Sequence, residues 1–223
     1  MVRDARAGMT LLELMIVLML VGVMVALGAA SISDWSDYQR AATSARAVAD
    51  AISLARAEAI RTGSNHIVAF DIASGLAGID TDIVIANDGP LGSTAGSSNC
   101  RIDADEIVYR VPLEKNVRFD SNATVVAPDD PGSLADVATG TTFKTAAGNA
   151  ASWVMFGADG LPRRFTQNTS TTPPCESGKL GPAGQSGAAI YLTNDLRDYA
   201  VVMTPLGLAR LHRYVIGSSE WTQ

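Results

Sequence analysis

Histidine and cysteine are both scarce in this chain: its 223 residues include two of each. His-Glu-x-x-His is missing, as are a Gly-x-Ser-x-Gly elbow and a phosphate-binding glycine loop. Without them the sequence offers no nucleophile paired with a base. No catalytic residue is expected, nor a cofactor. His66 falls in a predicted strand just beyond a helix end and reads as structural. Two acidic groups, Asp103 with Asp105 and Glu106, and Asp129 with Asp130, lack the glycine and the alternating oxygens of a calcium loop. They read as solvated surface, and no metal is expected.

Positive charge is also in short supply. The formal net charge is −6. Residues 1–8 carry Arg3, Asp4 and Arg6, a net of +1, so the remainder stands at −7. A global field of that sign does not draw nucleic acid, which leaves only a local basic patch as a route to it. With 47% hydrophobic and 18% charged residues, the composition is that of a folded protein.

Long apolar runs are limited to one. Met9–Ala30 is apolar apart from Thr10 and Glu13. A helix of that length spans roughly 30 Å, about one hydrocarbon core. Arg3 and Arg6 precede it and predict a cytoplasmic N-terminus and a single-pass protein with its bulk outside. Gly28-Ala29-Ala30-Ser31 imitates a secretory cleavage site, but the charged segment is very short and Gly8 closes it directly before the apolar run. Glu13 is the anomaly, since a charge at the bilayer centre costs roughly 2.5–3.5 kcal/mol on an insertion scale.

Beyond the apolar run, Ile32, Trp35, Tyr38, Ala42, Ala45, Ala49, Ile52, Ala55 and Ala59 recur at spacings of three and four, which marks one helical face. Arg40, Arg46, Asp50, Arg56 and Glu58 fall elsewhere. Arg61 followed by Gly63 is a stop signal, so one long helix is predicted over Met9–Arg61. After it come strands, predicted at His66–Ile72, Ile83–Ala86, Ile107–Pro112, Val117–Asp120, Thr141–Thr145, Trp153–Phe156, Ala188–Leu192, Tyr199–Thr204 and Leu208–Val215. Ala158–Pro162 and Pro205–Gly207 are turn signals. Strands without intervening helices favour antiparallel pairing.

The two cysteines, Cys100 and Cys175, adjoin or lie in loops rich in glycine, serine or proline, Asn87–Asn99 and Thr169–Gly187. In an oxidising compartment a single disulfide is the natural reading, and two unpaired thiols are the alternative. The bond would close a loop of about 76 residues and stabilise by on the order of 4 kcal/mol.

"GMTLLELMIVLMLVGVMVAL" resembles the type IV prepilin N-terminus shared by pilins and pseudopilins. The resemblance implies that prepilin peptidase cuts between Gly8 and Met9 and methylates Met9. Met9 departs from the usual phenylalanine, but is apolar and of similar reach. In a fibre, the resemblance implies, Glu13 meets the N-terminal amine of a neighbouring subunit and sets the register, because a shifted neighbour would leave buried charges unpaired.

"ISLARAEAIRTG", "VMFGADGLPRRF" and "DYAVVMTPLGLARLHRY" are similar to segments of the GspH/FimT branch of minor pilins and pseudopilins. This implies an α+β fold, a long helix packed on an antiparallel β-sheet domain. The expected organisation is a leader over 1–8, a membrane and fibre-core helix over 9–30, its amphipathic continuation over 31–62, and a periplasmic β-rich domain over 63–223. The implied partners are prepilin peptidase, other pilins or pseudopilins and the inner membrane, in either a type II secretion pseudopilus or a type IV pilus. Some relatives bind DNA through a basic Gly-Arg-x-Arg motif. Here the matching stretch is Gly207–Arg210, with Leu208 in place of the first arginine. Arg210 alone carries over, with Arg213 and Arg197 as neighbouring candidates.

Overall fold

A computed structural model describes residues 10–70, 82–89, 98–103, 105–137, 139–168, 175, 179–215 and 218–222, and for 26–34 the backbone alone. Gly8, Met9 and the last two residues of the first predicted strand lie outside the described residues. The chain divides into two compact units, Met1–Gln39 and Arg40–Gln223.

Helix α1, Leu11–Thr62, runs unbroken for 52 residues. It stops where expected, because Gly63 takes a positive φ of 66°, the left-handed conformation that ends helices and that glycine adopts without strain. In the first unit the described side chains from Leu11 to Val25 are exposed. Among the described residues no helix is long and apolar enough to cross a membrane.

In the second unit the rest of α1 packs along a stripe of small side chains. Ala41, Ala42, Ala45, Val48, Ala51, Ile52, Ala55 and Ala59 are buried. The stripe is wider than the predicted face, with Ser44 also buried, and it omits Trp35, which is 64% exposed. Ser44 Oγ accepts the backbone N–H of Glu114 at 3.0 Å, and Arg56 Nε donates to the carbonyl of Gly160 at 3.1 Å.

The strands form two five-stranded sheets, and every pairing between their strands is antiparallel. Sheet one takes β1 (Asn65–Ala69), β2 (Asp82–Gly89), β3 (Ile107–Pro112), β5 (Trp153–Phe156) and β6 (Pro162–Arg163) in the order β3-β2-β1-β5-β6. Sheet two takes β4 (Arg118–Phe119), β7 (Ala188–Thr193), β8 (Asp198–Met203), β9 (Ala209–Val215) and β10 (Glu220–Thr222) in the order β10-β9-β8-β7-β4. A one-turn helix, α2 (Leu134–Val137), lies between β4 and β5. The α+β architecture read from the sequence is therefore present.

Strands β1, β7 and β8 are buried at every position, so both of their faces are covered. On sheet one, Ile67, Ala69, Val84, Ala86 and Met155 form one core with Cys100, Ile102 and Phe165. On sheet two, Ala189, Tyr191, Ala200 and Val202 pack against Ala127 and Val137. Phe70, just past β1, stacks on Phe143 and meets Phe119 of β4 edge-on, with ring centroids 5.8 and 6.3 Å away, and so joins the two sheets.

One predicted strand is corrected. Thr141–Thr145 forms only isolated bridges, Thr141 to Ile190 and Lys144 to Ala150. The chain turns back on itself there: Thr145 N–H donates to the Asn149 carbonyl and Gly148 N–H to that of Thr145. Its two ends are drawn to different partners, so no ladder extends. The predicted strand at Val117–Asp120 shrinks to Arg118–Phe119.

Gly140 sits where its backbone closely approaches that of Phe119. Its φ is 77°, and a Cβ there would lie 2.7 Å from the Phe119 carbonyl carbon. Gly140→Ala combines left-handed strain with a backbone clash, and we expect it to lower unfolding free energy by about 2 kcal/mol or more. Denaturant melts should show a reduced midpoint, while Gly148→Ala, where nothing lies within 4 Å, carries the strain alone and costs less.

Candidate functional site

The first described turn of α1 is an N-terminal box. Glu13 N–H donates to Thr10 Oγ1 at 3.2 Å, and Thr10 N–H donates to Glu13 Oε2 at 3.5 Å. Leu14 N–H reaches the Thr10 carbonyl at 3.2 Å, the first helical bond. Thr10 thus caps the helix and Glu13 returns the favour, each satisfying a backbone donor that the helix leaves over. A Thr-x-x-Glu spacing before an apolar run carries this signature in the sequence, and reading Glu13 only as a partner for another subunit passes over it. Glu13 is also in the first turn, where the helix dipole favours a negative charge.

Cys100 and Cys175 are joined by a disulfide with Cα atoms 5.1 Å apart, as expected. Around it the backbone is pinned: Cys175 N–H donates to the Ser98 carbonyl and Asn168 N–H to that of Cys100. Beneath lies a carboxylate that sequence reading did not single out. Asp88, at the end of β2, is wholly buried and accepts the backbone N–H groups of Asn99 and Cys100 at 3.1 and 3.3 Å. Burial pushes its pKa up to about 7, against the lowering effect of those N–H groups. Glu106 is likewise pushed up to about 7, first by burial and then by Asp88 and Asp103 nearby.

The expectation of solvated acidic surface is therefore corrected for two residues. Glu106 is half-buried, and its Oε2 has no hydrogen-bond partner among the described residues. Asp130 receives the hydroxyls of Tyr191 and Thr142, both at 2.7 Å. Asp105 and Asp129 are exposed, and Asp103 pairs with Arg101 at 2.9 Å. Among the described residues no group of three or more His, Cys, Asp or Glu is arranged to hold a metal.

The arginines singled out as a DNA contact are dispersed. Arg210 and Arg213 are an odd number of residues apart on β9, so their side chains leave opposite faces. Arg210 Nη1 sits on Asp129 at 2.8 Å. Arg213 pairs across the sheet with Tyr199, near the β7–β8 turn that carries Arg197, whereas Arg210 pairs with Val202 toward the other end of β8. Arg163 is held by Asp159 at 2.7 Å. His66 is buried in β1 with its Nδ1 3.2 Å from the Ser64 carbonyl, and burial lowers its pKa.

The disulfide corner generates a pH dependence with a definite sign. Asp88 binds its proton more tightly folded than unfolded, so between about pH 4 and 7 the folded state holds more protons. Its contribution is greatest at acid pH and is lost as pH rises through about 7. Asp88→Asn should remove this slope. Chemical denaturation at pH 5 and 8 is expected to show wild type losing a few kcal/mol relative to the variant at the higher pH, at about 1.4 kcal/mol per pKa unit. Parallel curves for the two proteins would contradict it.

Residues 3–29 match the family model described as the prokaryotic N-terminal methylation motif. No curated protein and no solved structure matches the chain. The N-terminus of this protein is thus prepilin-like, and the motif it carries ends well inside the long helix.

Proposed function

We propose that this protein is a minor pilin or pseudopilin, a structural subunit cut by prepilin peptidase between Gly8 and Met9, methylated on Met9, and assembled near the tip of a type IV pilus or a type II secretion pseudopilus. The observation that carries the reading is the coincidence of the methylation motif at residues 3–29 with an uncut helix, Leu11–Thr62, that leads into an antiparallel β domain. The apolar segment 9–30 would anchor the precursor in the inner membrane before serving as fibre core. The domain from 63 onward would stand in the periplasm, where the oxidising environment suits the Cys100–Cys175 bond.

In this reading Glu13 has two tasks. It caps its own helix through Thr10, and in the fibre it meets the methylated amine of a neighbour's Met9. The two tasks separate chemically. Glutamine fills the same place in a capping box but has no charge. Glu13→Gln is therefore expected to preserve helix content by circular dichroism yet lose incorporation into fibres in cells expressing the assembly system. Glu13→Ala loses incorporation and also Glu13's own half of the box, while Thr10 still accepts the backbone N–H at position 13. Normal fibre incorporation of the glutamine variant would leave capping as the whole role.

For processing, mass spectrometry of the mature protein should find Met9 at the N-terminus with one added methyl group. Replacing Gly8 with a bulky residue should leave the precursor uncut. A mature chain beginning after Ala30 would overturn the reading.

A further inference from the structure

Residues 121–137 cross the outer face of sheet two as a strap. Its backbone is held by side chains that stand on the sheet, with no strand ladder. Asn122 N–H donates to Asp198 Oδ2 at 2.7 Å, Thr124 N–H to the Tyr214 hydroxyl at 3.3 Å, and Ala127 N–H to the Tyr191 hydroxyl at 3.1 Å. Trp221 Nε1 donates to the Val125 carbonyl at 2.9 Å. Asp130 takes the Tyr191 hydroxyl, and Asp129 takes Arg210. Ala127 and Val137 cover Ala189, Tyr191, Ala200 and Val202.

His212 stands on this same face. It pairs directly with Ala200, a member of the covered cluster, so the two side chains point the same way. It has no exposed surface, and neither ring nitrogen has a hydrogen-bond partner among the described residues. A neutral imidazole always carries one N–H, and leaving it unmade when buried costs about 1–3 kcal/mol. An imidazolium there would bring a second unmet donor and a buried charge, which is costlier still.

The groups around it do not relieve that cost. The strap contributes Asp129 and Asp130, β7 contributes Tyr191, β8 Asp198, and β9 Arg210 and Tyr214. Asp129 favours a cation but is occupied by Arg210, which opposes one. Asp130 and Asp198 accept hydrogen bonds from hydroxyl or N–H groups. Burial is the largest influence and lowers the His212 pKa below its ordinary value. Once the strap lifts, the ring meets water and takes a proton near pH 6.5.

We propose that the strap over sheet two is an acid-released cover, whose lifting is coupled to protonation of His212 and bares the apolar face formed by Ala189, Tyr191, Ala200 and Val202. Closure and protonation compete for the same ring, so falling pH below about 6.5 shifts the population toward the open form. The anchors are side-chain contacts, several of them to Asp198, Tyr214 and Tyr191, and none belongs to the β7–β8–β9 ladder, so the strap can lift while the ladder stays whole.

The test is hydrogen exchange read by mass spectrometry on the full chain in detergent micelles, at pH 7.5 and 5.2, with rates divided by the intrinsic rate at each pH. Protection of the Asn122–Ala127 amides is expected to fall by about tenfold at the lower pH, the scale of one coupled proton over one pH unit. Amides of β7 and β8 should change far less. His212→Gln, which cannot take the proton, should give equal strap protection at both values. Equal protection in wild type overturns the proposal, and so does a fall that persists in His212→Gln. If the glutamine variant does not fold, the wild-type His212 ring is titrated by NMR. Its midpoint must coincide with the loss of strap protection, and a separate midpoint overturns the proposal.

Discussion

The alanines at 41, 42, 45, 51, 55 and 59 keep one side of α1 almost free of bulk, and the interior of the second unit is arranged around that thinness. An alanine ends at its Cβ, so the helix lies nearer its neighbours than a leucine-faced helix would, and short polar contacts come into range. Arg56 reaches the Gly160 carbonyl, and Ser44 reaches the Glu114 amide. Two turn glycines also stand close to other side chains. A Cβ on Gly160 would lie 2.6 Å from Ile60 Cδ1, and one on Gly207 would lie 2.8 Å from Phe156 Cε1. Gly160, in the turn between β5 and β6, meets α1, whereas Gly207, in the turn between β8 and β9, meets β5 of the other sheet, with Arg56 of α1 at ordinary contact distance.

Two polar interiors follow from covering the remaining faces with irregular chain instead of more helix. Segments that lack a ladder must satisfy their backbone groups with side chains, and those side chains must then be buried. Over sheet one the answer is Asp88 beneath the disulfide, and over sheet two it is Tyr191, Tyr214 and Asp198 beneath the strap. The titrating groups left inside the two covers pull in opposite directions: burial raises the carboxyls and lowers His212. Over mildly acidic pH the first region gains stability while the second loses it.

Much of this was legible in the sequence because its signals are periodic and local. The helix, from Leu11 to Thr62, was marked by the absence of proline, the spacing of small residues and Gly63. Strands such as Ile107–Pro112 and Trp153–Phe156 were marked by their β-branched and aromatic runs. The disulfide was the natural reading of two cysteines beside segments rich in glycine, serine or proline, with unpaired thiols as the alternative, and the structure forms it. What stayed hidden depends on contacts far apart in sequence. Thr141–Thr145 has strand-like residues, but its partners Ile190 and Ala150 pull it two ways. Asp88 sits in a run that reads as loop, and only the N–H groups of Asn99 and Cys100 explain its burial. β6 and β10 are too short to leave a pattern at all. At the candidate site, Glu13 was conspicuous for its charge, while its bond to Thr10 was written in plain spacing and needed the helix start to give it meaning.

The disulfide also orders the chain in time. Its two cysteines are 75 residues apart, and β3 to β6 lie wholly between them. Every strand of sheet one therefore precedes Cys175, whereas four of the five strands of sheet two follow it. In a chain emerging N-terminus first, the helix and every strand of sheet one are available before the second thiol arrives. β7 to β10 then pair as a sequence-local meander, the kind of pairing that forms quickly because its loops are short. The bond thus clasps the span that carries β3 to β6, while β7 to β10 pair through proximity in sequence alone.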